Sequence, residues 1–318
     1  MDDVCSLVIF LGHQLLLFLT LPAEFMARTV TLLTFQKYKR EGRKIVALTA
    51  YDYSMAKILD RAGVDLILVG DSLAMVALGH QTTHAVTMDE MVHHVKAVTR
   101  GVQSSFVVAD LPFMSYQVDV KEAITNAGRF IKEANAHAVK LEGATALNLE
   151  TVERLVGMGV PVMGHLGFTP QSVHALGGTR VQGRTADQAL QLIEDSMALE
   201  KAGVFSLVLE MVPATVARLV SERLSIPTVG IGAGSGCDGQ ILVTDDLLGK
   251  YTDFQPRFVR RYANLAESCQ QAVTSYAEDV KSGSFPNESE SFPFPEDEEA
   301  HLMELLGKVK VSHGELSC

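Results

Sequence analysis

Three acidic residues stand where short apolar runs stop: Asp71 after LILVG, Asp110 at the end of FVVAD, and Glu142 after AVKL. A fourth, Glu210, closes the run SLVLE. Carboxylates released at the ends of buried strands can converge on one point. Asp71, Asp110 and Glu142 offer hard oxygen donors without a Cys or paired-His motif, a set that suits Mg²⁺ or Mn²⁺ better than zinc. Magnesium commonly takes only one or two direct carboxylates, so one of the three is expected to act through water.

Other residues at the same strand ends extend the chemistry. Lys140 lies inside the apolar run AVKLEG, and a core lysine is rare unless paired. It serves either as a salt-bridge partner of Glu142 or Asp110, or as a ligand for a substrate carboxylate or oxo group. His165, in GHLG, is read either as a structural hydrogen-bonding residue or as a substrate contact. The glycine-rich Gly230–Gly234 (GIGAG) lacks the GxGxxG spacing, so it reads as a close-packed or substrate-facing turn rather than a dinucleotide fingerprint. His80, His84, His93 and His94 resemble a metal cluster only at first sight. Adjacent His93 and His94 on a helix point to different faces, so these four are read as non-ligands.

The elements that must position these residues follow from periodicity. Eight short runs read as strands: 45–49, 66–70, 106–110, 138–141, 160–164, 205–209, 228–231 and 240–243. Helical patterns lie between most of them, among them 88–100, 120–134 and 186–202. Apolar runs buried on both faces and alternating with helices indicate parallel strands in βα units. Eight of them within about 200 residues fit a closed (β/α)8 TIM barrel, whose active site lies at the C-terminal strand ends. An internal echo agrees. Ala62-Gly63, Ala134-Asn135 and Ala202-Gly203 each lead through a buried run to an acid, Asp71, Glu142 and Glu210.

Around this core the expected organisation is an N-terminal extension (residues 1–33), a catalytic domain with a C-terminal helix (34–281), and a partly disordered acidic Pro/Ser-rich tail (282–318). A helical region is expected over 257–281, packed on the barrel exterior, with an exposed linker at 282–299 and a last short helix at 301–309. The apolar stretch Leu7–Leu21 is too short for a comfortable span. It lacks preceding positive charge, and the first arginine is Arg28. It reads either as an unusual targeting or anchoring segment or as an extension without a role, with Met26 as a candidate start. The 318 residues carry 27 Lys+Arg against 38 Asp+Glu, a net charge of −11. That balance argues against nucleic-acid or anionic-membrane partners, which reward positive charge. Cys5, Cys237, Cys269 and Cys318 show no CxxC spacing and suggest free thiols in a reducing compartment. A soluble intracellular protein without stable membrane insertion, mitochondrial or cytoplasmic, is the expectation.

At these same positions the chain resembles the ketopantoate hydroxymethyltransferase (3-methyl-2-oxobutanoate hydroxymethyltransferase) family. The resemblance is carried by TAYDYSMAKILDRAG from Thr49, LVGDSLAMVALGH from Leu68, ADLPFMSY from Ala109, VKLEG from Val139 and VMGHLGFTPQSV from Val162. It continues through VQGR from Val181, LVLEMVP from Leu207, GIGAG, and DGQILV from Asp238. It spans about Thr34 to Pro286 in order. It implies a barrel of the phosphoenolpyruvate/pyruvate type with C-terminal helices, and a homo-oligomer, a decamer in bacterial relatives. Asp71 and Asp110 look like the family's magnesium-binding aspartates and Glu142 like its third metal-site acid. Ser72 and Lys140 match residues that bind the 2-oxo acid with Asp71 and Asp110, and Glu210 matches the catalytic base. The implied reaction transfers a hydroxymethyl group from 5,10-methylenetetrahydrofolate, in pantothenate biosynthesis. Folate contacts are not identified by any motif.

The sequence departs from the family pattern at a few places. His84-Ala85 stand where a Leu-Pro pair is expected, Asn135 and Ala144 where glycines are, and Thr179 where an aromatic is usual. None is a proposed ligand, although Ala144 and Thr179 bear on the substrate mouth. The competing readings are a metal-dependent 2-oxo acid lyase or aldolase on the same barrel, distinguished by needing no folate, and a silent barrel, which the intact acids disfavour.

Overall fold

The computed structural model describes residues 29–308, so the apolar stretch Leu7–Leu21, Met26 and Arg28 lie outside the described residues. Residues 29–247 with 255–260 form one compact unit, and 248–254 with 261–308 a second. In the first, eight parallel strands close a barrel in sequence order: β1 (Ile45–Thr49), β2 (Leu66–Val69), β3 (Phe106–Asp110), β4 (Ala138–Lys140), β5 (Val162–Gly167), β6 (Ser206–Glu210), β7 (Thr228–Ile231) and β8 (Gly239–Leu242). The last strand pairs with the first.

Helices link the strands. α1 (Leu32–Glu41) precedes the barrel and α2 (Tyr53–Arg61) joins β1 to β2. α3 (Leu73–Val76) and α4 (Met88–Gly101) lead to β3, α5 (Val120–Ala134) to β4 and α6 (Ala146–Gly157) to β5. α7 (Ala186–Ala202) leads to β6, α8 (Ala214–Arg223) to β7, and α9 (Thr244–Leu247) follows β8. The second unit holds α10 (Leu265–Ser282) and α11 (Glu296–Lys308), neither with a buried residue. No helix among the described residues is long and apolar enough to cross a membrane.

Side-chain parity divides the apolar residues into two clusters. Ile67, Val69, Val107 and Ala109 pack outward against the helices. Leu66, Leu68, Phe106, Val108, Ala138, Met163 and Val208 belong to a separate cluster that fills the barrel and includes Phe35 and Tyr38 of α1. Because strand side chains alternate, residues 106, 108 and 110 share the interior face, as do 138 and 140, 163 and 165, and 208 and 210. Asp110, Lys140, His165 and Glu210 therefore continue the interior rows beyond the apolar layers, whereas Asp71 lies past the end of β2. At the other end, the Phe35 ring meets Phe106 edge-on at 5.3 Å between centroids. Burying a side chain of that size is worth about 1.5–3 kcal/mol.

Local signals set the helix ends. Thr87 and Glu90 form a capping box on α4, Thr185 and Gln188 one on α7, and Asp119 accepts the Glu122 N–H at the start of α5. The three echoed turns are left-handed at Gly63 (φ 78°), Asn135 (φ 54°) and Gly203 (φ 105°). Asn135, the departure from an expected glycine, holds the αL conformation that asparagine tolerates best after glycine.

The strand boundaries differ from expectation mainly at β5, which starts at Val162 and runs to Gly167. Val160 is taken by the end of α6, where its N–H bonds the Leu155 carbonyl at 2.9 Å. His165 consequently lies inside β5 rather than beyond it. The expected helix over 257–281 begins only at Leu265, since Val259 is buried and donates to the Pro256 carbonyl in a turn. α11 starts at Glu296, inside the expected linker, and four acids, Glu296–Glu299, fill its first turn, where negative charge suits the helix dipole.

Candidate active site

Strand register places the first pair. Parallel β3 and β4 align Asp110 with Lys140, so both side chains enter the barrel together and Lys140 Nζ lies 2.6 Å from Asp110 Oδ1. The same ammonium is 3.6 Å from Glu142 Oε1. Burial opposes the charge on Lys140, but Asp110, Glu142 and Asp71 outweigh it and raise its pKa. Lys140 is thus a fixed cation.

Asp71 sits one residue beyond Gly70, on the turn into α3, and its N–H donates to Asp110 Oδ2 at 3.2 Å. Ser72 Oγ lies 2.9 Å from the Tyr51 hydroxyl. Glu142 follows β4, with its N–H bonded to the Tyr116 hydroxyl at 3.1 Å and its carbonyl accepting from Asn148 Nδ2 at 2.8 Å. Asp71, Asp110, Lys140, Glu142 and His165 are all at most 5% exposed.

His165 bridges two acids. Its Nδ1 is 3.2 Å from Glu142 Oε1 and its Nε2 3.2 Å from Glu210 Oε2, close enough to pair though neither contact has hydrogen-bond geometry. Burial disfavours the imidazolium, yet Glu142 and Glu210 together push His165 up to about 9. Glu210 is the last residue of β6, and its carbonyl accepts the Phe168 N–H at 2.7 Å. That approach requires glycine at 167, where φ is 93° and a Cβ would lie 2.2 Å from the Glu210 carbonyl oxygen. Met211 beside it takes a left-handed φ of 48°, a costly conformation for a non-glycine residue. Bonds from Met211 N–H to the Ile231 carbonyl (2.8 Å) and from Gln182 N–H to the Met211 carbonyl (2.9 Å) hold it.

Gln171 joins the acids, and sequence reasoning missed it. Its Nε2 donates to Asp71 Oδ2 and to the Leu111 carbonyl, both at 2.9 Å, and its N–H donates to Glu142 Oε2 at 3.1 Å. Its Oε1 accepts from the Tyr116 hydroxyl and from Gln117 Nε2. The residue lies within the GFTPQSV motif, but a glutamine does not titrate and so drew no functional reading. Its carbonyl is 2.8 Å from His84 Nε2, which gives one of the sequence departures a structural task. His94 instead meets the Tyr51 carbonyl.

Among the described residues no group of three or more His, Cys, Asp or Glu side chains is arranged to hold a metal unaided. The residues nonetheless fit a divalent cation that retains water. Glu142 Oε1 is buried without a hydrogen-bond partner. Burial, Asp110 and Glu142 drive the Asp71 carboxyl well above the usual range. Burial likewise raises Asp110, despite Lys140. Four carboxylates, Asp71, Asp110, Glu142 and Glu210, face two cations, and an added positive charge relieves the imbalance. One or two direct carboxylates suffice for magnesium.

A closed parallel barrel with a buried acidic cluster at its carboxyl-terminal mouth defines the class. Its fold matches solved structures of the PEP mutase/isocitrate lyase type. Phosphonopyruvate hydrolase in complex with oxalate and Mg²⁺ aligns with TM-score 0.53 at 14% identity, covering 90% of this chain and 99% of that one. 2,3-Dimethylmalate lyase aligns with TM-score 0.52 at 12% identity, covering 87% and 94%. The sequence narrows the class: residues 29–288 match the profile of the family described as ketopantoate hydroxymethyltransferase, and the chain belongs to that family of enzymes. It is 54% identical over 272 residues to 3-methyl-2-oxobutanoate hydroxymethyltransferase of Syntrophus aciditrophicus (strain SB), covering 86% of this chain and 100% of that one. With the protein of the same name from Enterococcus faecalis (strain ATCC 700802 / V583) it shares 54% over 267 residues, covering 84% and 97%.

Proposed function

We propose that this chain transfers a hydroxymethyl group from 5,10-methylenetetrahydrofolate to 3-methyl-2-oxobutanoate, giving 2-dehydropantoate in pantothenate biosynthesis. The reading rests on family membership and on one observation above all: an over-acidic, buried cluster with one more accessible carboxylate beside it. Glu210 has a side chain 16% exposed, against 2% for Asp110 and Glu142.

Asp71 and Asp110 would hold Mg²⁺, with Glu142 in reach directly or through water. When bound, the ion supplies Lewis-acid polarisation of the 2-oxo acid. Ser72 and Lys140, with Asp71 and Asp110, orient the oxo acid. Lys140 cannot act as a base, because its acidic neighbours keep it protonated. Water adds to the methylene carbon of the donor and both of its C–N bonds break, so that the two nitrogens take up the protons of water, tetrahydrofolate leaves, and the one-carbon unit is released at the level of formaldehyde. Glu210 takes the proton from C3, the electron pair left behind forms the new C–C bond to that carbon as its C=O π bond opens, and the proton returns from Glu210 to the oxygen to give the hydroxymethyl group. His165 holds Glu210 on one side and Glu142 on the other, which ties the base to the acidic cluster.

The test is mass spectrometry of the purified chain incubated with 3-methyl-2-oxobutanoate, methylenetetrahydrofolate and Mg²⁺, with a chelator control. The expected product carries one added hydroxymethyl group and forms only with metal. Folded protein that makes no such product has another acceptor or donor, and folate-independent C–C cleavage would point to a lyase.

A further inference from the structure

The loop from β5 to α7 forms the wall of a second feature. A cavity of about 720 Å³ is lined by Leu176, Thr179, Arg180, Gln182, Arg184 and Gln188, among others. No acid lines it. In a chain of net charge −11, this is a local excess of positive charge. Arg129, Arg154 and Arg218 pair with carboxylates. Arg180 and Arg184 have no acidic partner among the described residues, and both are exposed. An unpaired arginine presents a fork of N–H donors shaped for carboxylate.

The cavity is anchored to the reaction centre by backbone. Gln182, in its wall, donates its N–H to the Met211 carbonyl at 2.9 Å, one residue past Glu210. Phe168, at the start of the same loop, donates to the Glu210 carbonyl at 2.7 Å. Between them Gln171 reaches Asp71 and Glu142. One loop therefore builds part of the acidic site and then the basic cavity. Thr179, where the family resemblance leads to an aromatic, contributes the smaller side chain to that cavity.

We propose that this cavity binds the carboxylate-bearing glutamate tail of the folate donor, with Arg180 and Arg184 as its anchors. The inference rests on the folate reading above. A donor must present its transferable carbon beside Glu210 while the rest of the molecule lies outside the buried site. A volume of 720 Å³ falls within the ordinary range for small-molecule pockets. The tail is the anionic end, and it meets the unpaired guanidiniums.

Equilibrium binding on the full chain tests this without turnover, using tetrahydrofolate, which carries no transferable carbon, and 6-methyltetrahydropterin, which lacks the tail. R180Q/R184Q should weaken tetrahydrofolate about tenfold or more and leave 6-methyltetrahydropterin and 3-methyl-2-oxobutanoate unchanged. Unchanged tetrahydrofolate affinity overturns the cavity assignment and leaves the proposed reaction standing. Equal weakening of the tailless pterin overturns the role given to the carboxylates. If the wild-type chain binds the oxo acid but not tetrahydrofolate, the donor reading itself fails and this inference with it. Should the glutamine pair disturb folding, the wild-type chain decides: its tetrahydrofolate affinity should fall as KCl is raised while that of the pterin does not. Salt-independent binding of both overturns the proposal.

Discussion

Glu210, the base in the proposed reaction, is more exposed than Asp71, Asp110 and Glu142. Asp110 is committed to Lys140 and to the Asp71 N–H, and Asp71 and Glu142 share Gln171. Among the described charged side chains of the site, Glu210 meets only the buried His165, at 3.2 Å, and its own side chain is 16% exposed. E210Q keeps the shape and removes the basic oxygen. Its kcat should drop about 10²–10⁴-fold with little change in the KM for the oxo acid, measured by steady-state kinetics. Near-normal turnover would remove Glu210 from the role of base. At this scale the sequence was legible where chemistry follows from residue type, as with the four acids and Lys140. Gln171, Tyr116 and Tyr51 were not, because their importance lies in which atoms they reach from distant segments.

Among the elements, the junction of α2, α4 and β3 shows how one side chain sets a strand. Asp60, in the last turn of α2, accepts N–H bonds from Gln103 (3.1 Å), Ser104 (2.9 Å) and Ser105 (2.7 Å), just before β3 begins at Phe106. Burial alone would raise its carboxyl, but these donors outweigh burial and lower it. D60A should cost about 1–3 kcal/mol at neutral pH, read from urea denaturation. Because the native carboxyl titrates below its unfolded value, its contribution is complete above about pH 3.9. It is lost as pH falls through the lowered native value. The stability gap between wild type and D60A should therefore shrink on acidification, and a gap constant with pH would contradict the assignment. Strand existence was readable from apolar runs, and β1, β3 and β7 lie where periodicity puts them. β5 slipped because apolar Val160 looks like a strand residue, yet the capping demand of α6 claims its N–H. The α10 start slipped for a related reason, since residues 257–264 are compatible with a helix while buried Val259 is held in a turn.

For the whole molecule, the acidic cluster is a cost of folding unless a cation offsets it. Binding of Mg²⁺ to the folded chain alone, at about 100 times its dissociation constant, stabilises it by about 2.7 kcal/mol. For a unit of this size, that corresponds to a rise in melting temperature of roughly 5–10 °C. Calorimetry with Mg²⁺ and with EDTA should show that difference, smaller in D110A. A transition indifferent to Mg²⁺ would argue against a divalent cation at these acids.

By itself the sequence determined the alternation of strands and helices, the acids at strand ends and the family, because burial period and residue chemistry are local properties. Only the tertiary structure decided the partners. Register set Asp110 beside Lys140, the pairing of β5 with β4 and β6 brought His165 between Glu142 and Glu210, and the β5–α7 loop carried Gln171 inward and Arg180 and Arg184 to the cavity. These contacts join residues far apart in the chain, so they depend on which strands are neighbours and which side chains share a face. Spacing along the sequence does not encode that.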